Sequence, residues 1–172
     1  MDNWTGEPIG LVGRIFRKLA PTRFGVWFIL HVFAYLDPLL LRMTRGRFSL
    51  SGLSGVPIGL LTTIGAKSGL ERSVPLLFCP DGENVILISS YGGGSRNPGW
   101  YYNLRANPEA RLLARGYTGA YISKEVTGKE RELLWEKALR VYSGFGNYAV
   151  RAKERQIPVL LLERKKNRDW RR

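Results

Sequence analysis

Three stretches of this sequence hold residue types that could do chemistry. The first, TTIGAKSG at 62–69, carries an apolar run into Gly65, Ala66, Lys67, Ser68 and Gly69. It fails as a phosphate-binding P-loop, because Ala66 stands between Gly65 and Lys67 and the spacing back to Gly59 is one residue too long. What remains is a tight turn of small residues whose backbone N–H groups, with Lys67 and Arg72 close by, suit an anion; a hairpin turn with solvated cations is the other reading. The second stretch, SSYGGGSRNPGWYYNL at 89–104, delivers the chain into three glycines that allow backbone to approach a ligand closely. Asn97 as N-cap and Pro98 at the first helical position then predict a short helix whose leading N–H groups favour negative charge. Trp100, Tyr101 and Tyr102 suit the faces of a flat ring system, unless they fill the core behind a flexible loop. The third is Tyr142, Phe145 and Tyr148, rings at intervals of three that share one face if Gly144 and Gly146 leave a helix intact. Such a stripe is either core packing or a bent lid.

The scarce residue types exclude more. The single histidine, His31, lies in an apolar run between Leu30 and Val32, which leaves no multi-histidine metal site and a poor general base. Metal is therefore not expected. The single cysteine, Cys79, allows no intrachain disulfide and suits a reducing cytosol. Against this empty inventory stands a net charge of +13 from 27 Lys and Arg over 14 Asp and Glu, which calls for an acidic partner: nucleic acid, anionic lipid or an acidic small molecule.

The elements that must position these residues divide the chain in two. Residues 24–41 are nearly all apolar, but Asp37-Pro38 predicts that one helix ends there and another starts, running from Leu39 to about Met43. The remaining run, 24–36, is thirteen residues against the roughly 20 that span a bilayer, and basic residues flank it on both sides. This predicts an interfacial or core-docked helix pair, with the inner face of the cell membrane as a candidate surface and no secretory signal. Residues 49–57, SLSGLSGVP, read as a linker, so residues 1–57 form a helical segment and 58–172 the main domain with a basic tail. In that domain six apolar runs, at 59–64, 73–79, 84–90, 110–115, 117–126 and 158–163, predict a small barrel or sandwich. Residues 80–83 read as the turn of a hairpin, Pro75 places the second strand at an edge or a bulge, and 128–141 has the period of an amphipathic helix that buries Leu133, Leu134, Ala138, Leu139 and Val141.

The segments LLTTIGAKSGLERSVPLLF and GENVILISSYGGGSRNPGWYYNLRANPEARL, with IPVLLLER near the end, resemble the deazaflavin-dependent nitroreductase family, actinobacterial reductases that use coenzyme F420. The resemblance covers about 59–163. It implies an α+β, mainly β fold: a split β-barrel of about six strands, similar to flavin-mononucleotide-binding barrels, with flanking helices and an N-terminal helical extension. It implies coenzyme F420 as cofactor, with FMN the less favoured alternative, and hydride transfer to a quinone, nitroaromatic or enone. By position, Lys67, Ser68, Gly69 and Arg72 would bind the phosphate; Ser89, Ser90 and Tyr91 would line the ring, and Trp100, Tyr101 and Asn103 would close its other side. Tyr142, Phe145 and Tyr148 would cover the ring and shape the substrate pocket, with Ser90 and Tyr148 donating hydrogen bonds during transfer. The charge agrees on separate grounds, since a phosphodiester with an oligoglutamate tail is a polyanion. A binding module without turnover is the alternative; single-stranded nucleic acid held by Arg96, Trp100, Tyr101 and Arg105 ranks last.

Overall fold

The computed structural model describes residue 22, residues 33–153 and residues 155–165. The apolar run as far as Val32, His31 within it, and the basic tail from 166 lie outside the described residues.

Seven strands form one antiparallel sheet: β1 (Ile58–Ile64), β2 (Glu71–Leu77), β3 (Cys79–Asp81), β4 (Asn84–Ile88), β5 (Glu109–Ala114), β6 (Tyr117–Val126) and β7 (Val159–Arg164), in the order β2-β1-β5-β6-β7-β4-β3. The two ends of that order are consecutive in the chain, since β2 finishes at Leu77 and β3 begins at Cys79. Phe78 alone turns the corner, its side chain 2% exposed and its N–H donating to Pro57 O, 3.1 Å. The sheet therefore has to curl until its edges approach, which makes the expected split barrel. The count is seven rather than six because Pro80 and Asp81 belong to β3, with the register Asp81↔Asn84; the turn is only Gly82 and Glu83. Pro75 does sit in an edge strand, β2 pairing with β1 alone.

Side-chain alternation builds two cores. On β4, Val85 and Leu87 face the barrel interior while Ile86 and Ile88 face the helices; on β7, Leu160 and Leu162 oppose Val159 and Leu161 in the same way. Four helices are described: α1 (Ala34–Met43), α2 (Gly99–Ala106), α3 (Gly128–Val141) and α4 (Gly144–Ala152). The bounds of α3 match the apolar period, and Leu134 and Ala138 are buried, but Leu133 is 55% exposed and stands off the packed face.

Two expectations fail at the start of the described chain. Asp37-Pro38 does not break a helix, because both lie inside α1. The Asp37 carboxylate, with no exposure at all, accepts from Leu50 N–H (2.6 Å) and Ser51 N–H (3.2 Å), so it caps a 3-10 turn thirteen residues away rather than its own helix. Residues 49–57 are accordingly no flexible linker: Ser51–Ser54 is that 3-10 turn, and Ser49, Ser51, Ser54 and Val56 are buried.

Candidate active site

Between the free edge of β2 and the helical layer lies a cavity of about 520 Å³. One wall is Arg72 with Ser73–Leu77 of β2, and another is Ser51, Ser54 and Val56. The loop after β4 supplies Ser90, Tyr91 and Gly92; α2 supplies Gly99, Trp100 and Asn103; the α3–α4 corner supplies Tyr142, Phe145 and Tyr148.

The loop after β4 has an unusual backbone. Tyr91, Gly92 and Gly93 have φ of 48°, 64° and 84°, a left-handed run that glycine accommodates best. At Gly93 space is the second constraint, because a Cβ would stand 2.7 Å from the Tyr148 carbonyl oxygen and 2.6 Å from Arg151 Cβ. The glycine lets α4 pack directly on the loop. At the other end of α4's first turn, Gly144 lies under the Tyr142 ring, where a Cβ would come within 2.3 Å. The glycines therefore do not disperse the three rings. Tyr142–Phe145 and Phe145–Tyr148 meet edge to face at 5.3 and 6.3 Å, and the Tyr142 and Tyr148 hydroxyls are hydrogen-bonded at 3.1 Å. Burial pushes the Tyr148 phenol above its ordinary value near 10, against smaller opposing effects of the Tyr142 hydrogen bond and the Arg151 charge.

The turn 65–70 joins the cavity through Asn103. Its Oδ1 accepts from Ala66 N–H (3.0 Å) and its Nδ2 donates to Thr63 Oγ1 (3.1 Å), tying α2 to the end of β1. Gly65, Gly69 and Leu70 spend their N–H groups inside the turn. Lys67 and Ser68 N–H take no acceptor among the described residues, and Lys67, Ser68, Gly69 and Arg72 are exposed. This leaves two backbone donors and two cations facing solvent beside the cavity, an anion-binding arrangement.

Of the residues expected at the site, Arg72, Ser90, Tyr91, Trp100, Asn103, Tyr142, Phe145 and Tyr148 converge on the cavity, with Lys67, Ser68 and Gly69 on the adjoining turn. Ser89 and Tyr101 do not. Ser89 is fully buried outside the cavity lining, and its Oγ donates to Asn97 Oδ1. Tyr101 turns into the barrel core and donates to Glu125 Oε2, 3.0 Å, because α2 presents 100 and 103 to the cavity and 101 and 104 to the core. Asn97 is not the helix cap either; Pro98 is, one residue on. Sequence reasoning missed Ser51, Ser54, Val56 and the β2 edge, since a Ser/Gly string carries the same composition in a wall as in a linker.

A curled antiparallel barrel whose cavity joins a polar-aromatic wall to a basic turn defines a split-barrel protein built for a flat, anionic ligand. Comparison with known proteins fixes the family. The F420H(2)-dependent quinone reductase family matches residues 40–164, and the chain belongs to it. An F420H(2)-dependent quinone reductase of Mycobacterium tuberculosis is 32% identical over 133 residues, 76% of this chain and 89% of that protein. The solved F420-H2 dependent reductase FDR-A is 35% identical with a TM-score of 0.58, covering 62% of this chain and 94% of its own. A structure described as a domain-swapped dimer is 30% identical with a TM-score of 0.59, over 75% and 97%.

Proposed function

We propose that this protein oxidises reduced coenzyme F420 and passes the hydride to a quinone held in the same cavity. The observation that carries this reading is the adjacency of the basic turn, the apolar β2 wall and the Ser90/Tyr142/Tyr148 hydroxyls around one space of about 520 Å³. A flavin-like ring with an anionic tail fits that donor set. Gly99 lines the cavity, and a Cβ there would meet no atom within 4 Å, so backbone is open to a ligand. Lys67, Ser68, Gly69 and Arg72 would hold the phosphate, and Ser90, Tyr91, Trp100, Asn103 and Phe145 would contact the ring; Ser89 and Tyr101 support this wall from behind. The bound coenzyme would supply the hydride, chemistry that asks for no histidine or metal ligand from the protein.

The protein's share is orientation, exclusion of water and stabilisation of the charge that develops on the acceptor oxygen. Tyr148 and Ser90 donate hydrogen bonds to that oxygen; Tyr142 donates to the Tyr148 hydroxyl and strengthens it cooperatively. Val74, Leu76, Leu77 and Val56 offer an apolar surface to the acceptor's carbon frame. Nitroaromatics and enones place an electrophile and an oxygen in the same relation and extend the acceptor range.

Exposed apolar residues on α1 support attachment to an anionic membrane surface. Tyr35, Leu36, Leu39 and Met43 are 79, 48, 59 and 74% exposed, and Arg42, Arg45 and Arg47 are exposed around them. Among the described residues no helix is long and apolar enough to cross a membrane. Purified protein mixed with reduced F420 and a soluble quinone should restore the oxidised coenzyme's visible absorbance. Tight coenzyme binding with no oxidation by quinones, nitroaromatics or enones would instead establish a binding module.

A further inference from the structure

One guanidinium outside the cavity holds the cavity's most irregular wall. Arg155 follows α4, its N–H bonded to Ala152 O at the helix end. Its side chain crosses to the loop after β4 and donates to four oxygens there. Nε reaches Gly94 O (3.0 Å), Nη2 reaches Ser90 O (2.9 Å), and Nη1 reaches both Asn97 Oδ1 (2.5 Å) and Ser89 O (3.4 Å). All four acceptors are uncharged. A guanidinium in contact with three peptide carbonyls and an amide is placed for its shape, because its planar fork matches several acceptors at once, as an ammonium cannot.

The segment it clamps, from Ser89 to Asn97, is the one with three consecutive left-handed residues, and it carries Ser90 and Tyr91 into the cavity. Its own closing hydrogen bonds are short-range: Gly93 N–H to Ser90 O and Gly94 N–H to Tyr91 O. Past Ser89, whose N–H donates to Pro158 O (3.0 Å), the loop has no ladder to define it. Arg155 and the bare Gly93 backbone together dock it against α4, the helix that carries Tyr148. We propose that Arg155 is a positioning residue that fixes the Ser90–Tyr91 wall relative to Tyr148, so that the two sides of the cavity keep a single spacing. This rests on the reductase reading for its catalytic consequence, and on geometry alone for the clamp.

The test is Arg155→Lys in the full chain, which keeps the charge and loses the fork. In coenzyme-free protein, hydrogen exchange at the Gly93 and Gly94 amides should accelerate about tenfold or more, with β4 and β7 amides unmoved. With reduced F420 and a soluble quinone, kcat/KM should fall by about ten- to hundredfold, the order expected when reacting groups shift by a fraction of an ångström to an ångström. Loop exchange equal to wild type, or activity fully retained by the Lys variant, overturns the proposal. Asn97→Ala removes one acceptor of the fork and should raise exchange at the same amides to a smaller extent. It keeps the test decisive if Arg155→Lys does not fold, and unchanged exchange in it counts against the clamp. Wild-type protein that fails to oxidise reduced F420 removes the reductase reading, and the exchange measurements then decide the clamp alone.

Discussion

Tyr148 is the side chain in which burial, hydrogen bonding and proposed chemistry meet. Its phenol is 7% exposed, and desolvation raises its pKa above the ordinary value near 10, so it stays neutral and able to donate across the physiological range. Two results follow. The rate should show no alkaline loss due to this group until the pH exceeds 10, as a pH profile of kcat would register. Tyr148→Phe should lower kcat about ten- to hundredfold while coenzyme affinity stays nearly intact; equal losses in both would remove Tyr148 from the acceptor side. The same raised pKa favours the folded state below pH 10 and loses that contribution as the pH rises beyond the unfolded value. Cys79 is the contrasting case. Burial pushes its thiol up to about 12 and it is 1% exposed, so iodoacetamide should not label it in native protein; rapid native-state labelling would contradict its place in the core. At this scale spacing alone made Phe145 and Tyr148 legible as neighbours on α4, whereas Tyr142 sits in extended backbone after α3 and joins them through the corner between the two helices. The choice between Ser89 and Ser90, or Trp100 and Tyr101, was not legible, because adjacent residues point to different cores and only docking decides which core is the cavity.

Among the elements, the segment from α1 to β1 departs furthest from its local reading. An Asp-Pro pair ordinarily starts a helix because its carboxylate satisfies nearby N–H groups. Here the carboxylate does that service for Leu50 and Ser51, across a turn, and holds the 3-10 turn Ser51–Ser54 as a wall of the cavity. Asp37→Ala should leave the buried Ser51 N–H and the part-buried Leu50 N–H without acceptors and cost about 2–4 kcal/mol, read as a lowered denaturation midpoint with unchanged slope. A loss within a few tenths of a kcal/mol would show that water replaces the carboxylate. The β2 strand, by contrast, was legible as an edge or a bulge because Pro75 has no N–H to give a second neighbour, and the strand order makes it the edge. Its continuation into β3 was hidden: a change of partner at Phe78 leaves the apolar pattern uninterrupted.

For the whole molecule the governing quantity is the net charge of +13, divided as 7 basic against 3 acidic residues in 1–57 and 20 against 11 in 58–172. Many described cations are already paired, such as Lys137 with Asp81 and Lys165 with Glu109. Lys67, Arg72 and Arg96 have no carboxylate partner among the described residues; Arg72 lines the cavity and Lys67 lies on the adjoining turn. The KM for reduced F420 should therefore rise steeply with ionic strength, whereas insensitivity to salt would mean the tail is held without these charges. Replacing Leu36, Leu39 and Met43 together by Glu should abolish flotation with anionic liposomes and leave the soluble quinone assay unchanged; undiminished flotation would acquit α1. Sequence by itself determined that the partner is acidic, through the excess charge, and left nucleic acid, anionic lipid and an acidic small molecule to be separated by the family resemblance. It also determined the strand runs, through apolar alternation, and the ring and turn motifs that carry the family resemblance. Only the tertiary structure decided which side of each motif meets the ligand, and that a Ser/Gly stretch is a wall. Those outcomes depend on contacts between segments far apart in the chain, such as Asp37 with Leu50 or Arg155 with Ser90, and neither local composition nor period encodes them.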